Sequence, residues 1–487
     1  MSNAIQLGTP MQHNTIDREA STFSRRDLFR RTACGFGHTA LLGMLHSVAQ
    51  ANSAARPSAG NPLAIRPPHF PPKAKQVIFL FMHGGVSHVD TFDPKPKLTE
   101  MDGKPLPFET PLQFAATGNL LKSPWKFRNY GESGLPVSEL FPHIGSIVDE
   151  LCFVRSMKVE QVDHGGALLQ QHTGSAVFPR PSMGAWVLYG LGTENQNMPG
   201  FVTISPSTIH GAAQNYGTAF LPATYQGTSI GDANTPMTRA QVKNLKRAES
   251  STSLQRLQLD VIQQANRRHK ERFSTDSRLN ARIEAFELAF RMQMEAPDVI
   301  DLSSESKTMI ERYGIDGGPT DNFGRQCLLA RRLVENGVRF VQCSHTYKWD
   351  QHGGLKAGHT KNANEVDKPI AALISDLKSR GLLDETLVVF GTEFGRTPVA
   401  QGTDGRDHNP YGFTMWMAGG GVKGGSAYGA TDEFGYFAVE NVVSMYDFHA
   451  TLLYLLGIDH ERLTYRHAGR DFRLTDVHGK VVDDLIA

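Results

Sequence analysis

A mostly parallel α/β sheet, covered by helices on both faces, is the fold this sequence predicts. Three observations point to it. Short runs of β-branched and aromatic residues recur along the chain and read as buried strands. Segments of helical periodicity alternate with them, the pattern of a three-layer α/β/α sandwich. The first such run, Val77-Ile78-Phe79-Leu80-Phe81-Met82, stops abruptly at His83-Gly84-Gly85, before a short loop crowded with imidazoles and carboxylates. Open α/β sheets build their sites where core strands end.

The elements follow in order. After the first strand, residues 95–134 carry many Pro, Gly and Thr and read as an irregular excursion over the sheet. A short helix is expected over 141–149, a second core strand over Leu151–Met157, and helices over 163–174 and 183–191. Phe201-Val202-Thr203-Ile204 is a strand, followed by a Gly/Thr/Pro-rich region to about 236. Residues 238–314 differ: they are rich in Arg, Gln, Glu, Leu and Ala, with apolar positions such as Leu254, Leu257 and Val261 at helical spacing. They predict an insertion of amphipathic helices packing on the main body. Further on come a helix over 322–336 capped by Gly337, a strand over Val338–Cys343, and a helix over 368–380 ended by Gly381. Strands over Leu387–Gly391 and Phe413–Ala418 and a helix over 447–456 complete the set.

The amino terminus reads as an address. Ser24-Arg25-Arg26-Asp27-Leu28-Phe29-Arg30-Arg31 has the paired arginines of a twin-arginine export signal, and Ala49-Gln50-Ala51 offers a small-residue cleavage site. The expected organisation is a signal over 1–51, a Pro/Ala/Ser/Gly-rich linker over 52–74, and one α/β domain over 75–487. This predicts passage through the twin-arginine translocase, a periplasmic or otherwise exported location, and no stable membrane span in the mature form. With 487 residues and 40% hydrophobic content the chain can bury a large core. The formal net charge of +1 gives no electrostatic case for nucleic acid or an anionic membrane. Of the four cysteines, Cys34 falls in the signal. Cys152, Cys327 and Cys343 sit in apolar contexts without metal-ligand spacing and are expected as buried free thiols.

Five segments carry metal-ligand chemistry: His83 with His88 and Asp90; Asp163-His164-Gly165-Gly166; Asp350-Gln351-His352-Gly353; Glu393-Phe394-Gly395-Arg396; and Arg406-Asp407-His408. Most follow predicted strands or precede helices, so one rim of one sheet can gather them. Imidazole and carboxylate together suit one or two divalent ions, Zn²⁺ or Mn²⁺ first and Ca²⁺ as a further option. Such ions suit hydrolysis of an anionic ester. Arg396 either neutralises charge developing on the transferred group or forms a salt bridge with a neighbouring carboxylate.

Together, His83-Gly-Gly-x-Ser-His-x-Asp-Thr-Phe-Asp-Pro-Lys-Pro, Trp349-Asp-x-His, Glu393-Phe-Gly-Arg-Thr-Pro and Gly405-Arg-Asp-His-x-Pro resemble the DUF1501 family, grouped with alkaline phosphatases and sulfatases. The resemblance runs from about Lys75 to the carboxyl terminus and implies an alkaline phosphatase-like fold. It implies His83, Asp90, Asp350, His352, Glu393 and His408 as metal ligands, with Asp163, His88 and His359 as second choices. Two departures stand out. Phe394 replaces a His ligand of the sulfatase pattern, and His164 stands where alkaline phosphatase carries its Ser or Thr nucleophile. His164 is therefore expected either as a nucleophile or as a ligand or proton carrier beside a metal-activated water, with Arg396 its catalytic companion. The implied activity is an exported metal-dependent hydrolase of sulfated or phosphorylated small molecules or polysaccharides. The alternative is a catalytically degenerate, metal-stabilised protein that binds glycans or a partner.

Overall fold

The computed structural model describes residues 61–111, 118–242 and 296–487, with scattered positions of 257–292 between them. The export signal, residues 52–60 of the linker and most of the helical insertion lie outside the described residues.

Eleven strands position the site: β1 (Gln76–Met82), β2 (Leu151–Lys158), β3 (Phe201–Ile204), β4 (Thr228–Ile230), β5 (Phe340–His345), β6 (Thr386–Gly391), β7 (Gly395–Gln401), β8 (Gly405–Asn409), β9 (Phe413–Ala418), β10 (Ser426–Tyr428) and β11 (Val443–Ser444). Nine of them form one sheet in the order β10-β2-β9-β6-β1-β5-β3-β4, with β11 also paired to β2. Only β9 runs antiparallel, between β2 and β6. The chain is a mixed α/β fold around a mostly parallel sheet.

The sequence of β1 explains its central place. Ile78, Leu80 and Met82 pack into one core with α3 (Asp321–Glu335) and α4 (Leu355–Ser379). Val77, Phe79 and Phe81 pack into a second core with α1 (His164–Thr173), α2 (Met183–Leu191) and α5 (Met445–Leu455). Successive side chains of a strand face opposite ways, so a strand apolar at every position needs cover on both faces. Every residue of β1 is buried, and each fully buried large apolar side chain contributes about 1.5–3 kcal/mol.

Most elements lie where the sequence pattern puts them. Asp163 caps α1 by accepting from the Gly166 N–H at 2.9 Å, and Gly174 ends the helix at φ 69°. Two readings need correction. Helix α4 begins at Leu355 rather than at 368, and Pro369 lies inside it. The Glu393 and Arg406 motifs, to which the sequence pattern gave no element, include a buried antiparallel hairpin, β7 with β8. Cys152, Cys327 and Cys343 are buried free thiols. Among the described residues no helix is long and apolar enough to cross a membrane.

Candidate metal centre

The parallel strands β1, β5, β2 and β6 end on one rim, and the segments leaving them deliver the site. His83 follows β1, His164 opens the helix after β2, Asp350 and His352 follow β5, and Glu393 follows β6. The β7–β8 hairpin adds Asp407 and His408. Three groups of ligand-type atoms result: His83, His164 and Glu393; His164, Asp350 and His408; and His352, Asp407 and His408. His164 and His408 each belong to two of them.

Glu393 is fully buried. Its carboxylate accepts the Gly84 N–H at 2.9 and 3.1 Å, lies 2.7 Å from His164 Nδ1, and is 3.8 Å from His83 Nε2. Burial would raise its pKa, but His83 and His164 outweigh that and hold it down at about 2. The approach of Gly84 requires glycine: its φ is +125°, and a Cβ there would meet Trp349 N at 2.6 Å.

Asp350 is the hub of the other groups. Its Oδ1 lies 3.4 Å from His164 Nε2, 2.9 Å from His352 Nε2 and 3.3 Å from His408 Nε2. The same oxygen pairs with Arg396 Nη2 at 2.6 Å, and Oδ2 accepts the Tyr347 hydroxyl at 3.0 Å. Burial opposes ionisation, yet the three imidazoles and Arg396 hold this carboxyl far below the usual range. His164 shows the complementary effect: burial lowers its pKa, but Asp350 and Glu393 lift it to about 9. His83 is pushed down to about 4 by burial despite Glu393, which favours the neutral form that binds metals. Its other partner is His210 Nδ1, 3.2 Å from Nε2. His408 Nδ1 lies 2.7 Å from the Val162 carbonyl, which leaves Nε2 toward Asp350.

The structure therefore gathers His83, His164, Asp350, His352, Glu393 and His408, and sets Asp90 apart. Asp90 is fully buried and clasped by Arg406, with Nε at 2.7 Å from Oδ2 and Nη2 at 3.1 Å from Oδ1, and it also accepts from Ser87 Oγ. Both its oxygens serve that ion pair, and it belongs to none of the three groups. Arg396 lies at the centre but faces inward. Nε donates to the Gly85 carbonyl at 3.0 Å, Nη1 to Arg406 O at 3.1 Å, and Nη2 to the Gly84 carbonyl as well as to Asp350. Of the two roles open to it from sequence, the geometry is that of the salt bridge, and Arg396 positions Asp350. His88 and His359 are buried elsewhere, against the Gly435 carbonyl and the Ser87 N–H. Asp163 is spent as a helix cap.

Two site residues escaped the sequence reading, Tyr347 and His210, while Asp407 lay inside a metal-type segment from which only His408 was taken as a ligand. His210 had a signal, the His-Gly dipeptide shared with His83, His164 and His352. His478-Gly479 shows why that signal alone is weak. The donor set fits a divalent ion. Its nitrogens and carboxylate oxygens are of the type Zn²⁺ and Mn²⁺ accept. Moreover, the buried His83 Nδ1 and His164 Nε2 have no hydrogen-bond partner among the described residues.

The family profile described as "Protein of unknown function (DUF1501)" matches residues 74–486. The chain belongs to the DUF1501 family. No curated protein matches this DUF1501 chain. Among solved structures it is similar to the lipoteichoic acid synthase LtaP from Listeria monocytogenes, at 12% identity and TM-score 0.34, covering 88% of this chain and 80% of that one. The PsFucS1 sulfatase from Pseudoalteromonas sp. matches at 12% identity and TM-score 0.33, covering 80% and 68%. The alkaline phosphatase from the Antarctic bacterium TAB5 matches at 10% identity and TM-score 0.33, covering 79% and 98%. Likeness this distant transfers no residue role to the DUF1501 protein.

Proposed function

We propose that this DUF1501 protein is an exported, metal-dependent hydrolase of sulfate or phosphate esters. The observation that carries the reading is the meeting of seven ligand-type side chains, from five separate segments, at one rim of the sheet. One or two divalent cations, held by His83, His164 and Glu393 and by His352, Asp407 and His408, would supply charge for an anionic ester and lower the pKa of a bound water.

The chain's own residues orient and exchange protons around that charge. The proton His164 holds toward Glu393 must leave before Nδ1 donates to a cation. Asp350 is fixed by Arg396 on one side and Tyr347 on the other. The Tyr347 hydroxyl, raised to about 12 by burial and by Asp350, stays protonated at neutral pH and gives its one hydrogen to Asp350 Oδ2. Export rests on the Arg25-Arg26 motif alone.

The test uses purified protein loaded with Zn²⁺ or Mn²⁺ and a panel of aryl sulfates and phosphates. Turnover is expected, and His408→Ala should lower it at least about 100-fold with the fold intact. Equal turnover in the variant removes the site assignment. A second reading, a metal-stabilised binder without turnover, is favoured by two residues: His164 stands where the alkaline phosphatase pattern carries its Ser or Thr nucleophile, and Phe394 where the sulfatase pattern carries a His ligand. Tightly bound metal with no hydrolysis across the panel selects it.

A further inference from the structure

The loop after β3 sends one more imidazole into the centre. The His210 ring stacks on His164 at 5.2 Å between centroids, 19° from parallel, and lies 5.3 Å from the His83 ring. Its Nδ1 is 3.2 Å from His83 Nε2.

The backbone that delivers it is unusual. His210, Gly211 and Ala212 have φ values of 49°, 87° and 42°, three left-handed residues in succession, two of them bearing a Cβ. That conformation is disfavoured for L-residues and persists where surroundings impose it. Here Asn215, itself buried, donates its side-chain amide to the His210 carbonyl at 3.1 Å. The turn is braced from behind, and its product is the placement of one ring.

We propose that His210, through Nδ1, is a ligand of the cation held by His83, His164 and Glu393. This rests on the metal-centre reading above and goes beyond it by naming a ligand on a segment with no metal-binding motif. Donor atoms around a four-coordinate ion with bonds of about 2.0–2.1 Å are about 3.3 Å apart. The His83–His210 separation already matches that spacing, and His83 to Glu393 is 3.8 Å. As a donor His210 approaches His83 alone and stands outside the close group of His83, His164 and Glu393; drawn in by a cation, it would bring that group to four protein donors, the number a tetrahedral Zn²⁺ site uses.

Metal-free protein titrated with Zn²⁺ by calorimetry, and with Co²⁺ by visible absorption, tests this without any substrate. His210→Asn removes the imidazole yet keeps a residue that tolerates left-handed φ. His210→Asp tolerates it too and returns an oxygen donor. We expect His210→Asn to weaken binding at least about tenfold and shift the Co²⁺ spectrum, and His210→Asp to recover most of the affinity. Wild-type affinity and spectrum in His210→Asn, beside loss of metal in Glu393→Gln, overturn the proposal and leave the metal centre standing. A wild-type protein that takes up neither ion overturns both.

Discussion

Replacing Asp90 by Asn separates a ligand from a structural ion pair. Asp90 and Arg406 are both fully buried, and the guanidinium grips both carboxylate oxygens. Arg406 also donates to the Thr397 carbonyl at 3.2 Å and the Leu121 carbonyl at 2.9 Å, so it is fixed in place. The Asp90→Asn change would leave that cation buried without its counter-charge, which costs about 3–5 kcal/mol. For a domain of roughly 400 residues, an unfolding entropy of about 2.1 cal/mol/K per residue converts this to a melting shift of about 4–6 °C. The pH sign agrees. Burial would raise the Asp90 pKa, but Arg406 outweighs it and holds the folded value below the unfolded one. The pair's stabilisation is thus present above about pH 4 and lost as pH falls through the folded pKa. Thermal melts of wild type and variant at pH 7, with elemental analysis of each, make the assay. The expected result is a lower melting temperature with unchanged metal content. A variant that melts like wild type but has lost an ion would refute the ion-pair reading and make Asp90 a ligand.

Two further outcomes follow from single positions. Gly84→Ala forces a Cβ onto Trp349 N and disturbs the amide that holds Glu393, so it should cost about 1–3 kcal/mol and weaken Zn²⁺ binding. Gly134→Ala, at φ +65° with open space around it, should cost only about 1 kcal/mol and leave binding alone; equal effects at both positions in denaturant melts and Zn²⁺ titrations would dissolve the contrast. Asp367 accepts the His143 and Ile144 amides at 2.9 and 2.7 Å, and burial pushes its pKa up to about 6. A carboxyl raised above its unfolded value binds more protons folded than unfolded, so its stability contribution falls as pH rises from about 4 to 6, by about 3 kcal/mol. Urea midpoints across that range should decline more steeply in wild type than in Asp367→Asn, and parallel curves would count against it.

What the sequence shows of this fold is what apolar patterning records. β1 is legible because every one of its residues needs cover, and α1 because Asp163 and Gly174 mark its ends. The β7–β8 hairpin is equally buried yet illegible, since its polar residues pair with groups elsewhere in the chain rather than pack on an apolar core: Arg406 with Asp90, Arg396 with Asp350, and Asn409 with the Tyr436 carbonyl at 2.9 Å. Polar pairing over hundreds of residues leaves no period to read. The site was legible where His or acid follows a strand at once. His210 lies beyond a Ser/Pro/Thr stretch, and only the folded turn points it inward. Asp90 shows the opposite failure, a motif residue whose partner is 316 positions away.

The three interior thiols bear on the proposed export. Burial raises the pKa of Cys152, Cys327 and Cys343 alike, so in the finished molecule they are shut away and hold their protons. An unfolded chain reaching an oxidising compartment would offer all three to stray crosslinking, whereas one packed beforehand offers none. Refolding yield under oxidant, compared with survival of the native protein in the same buffer, would measure how much that sequence of steps protects.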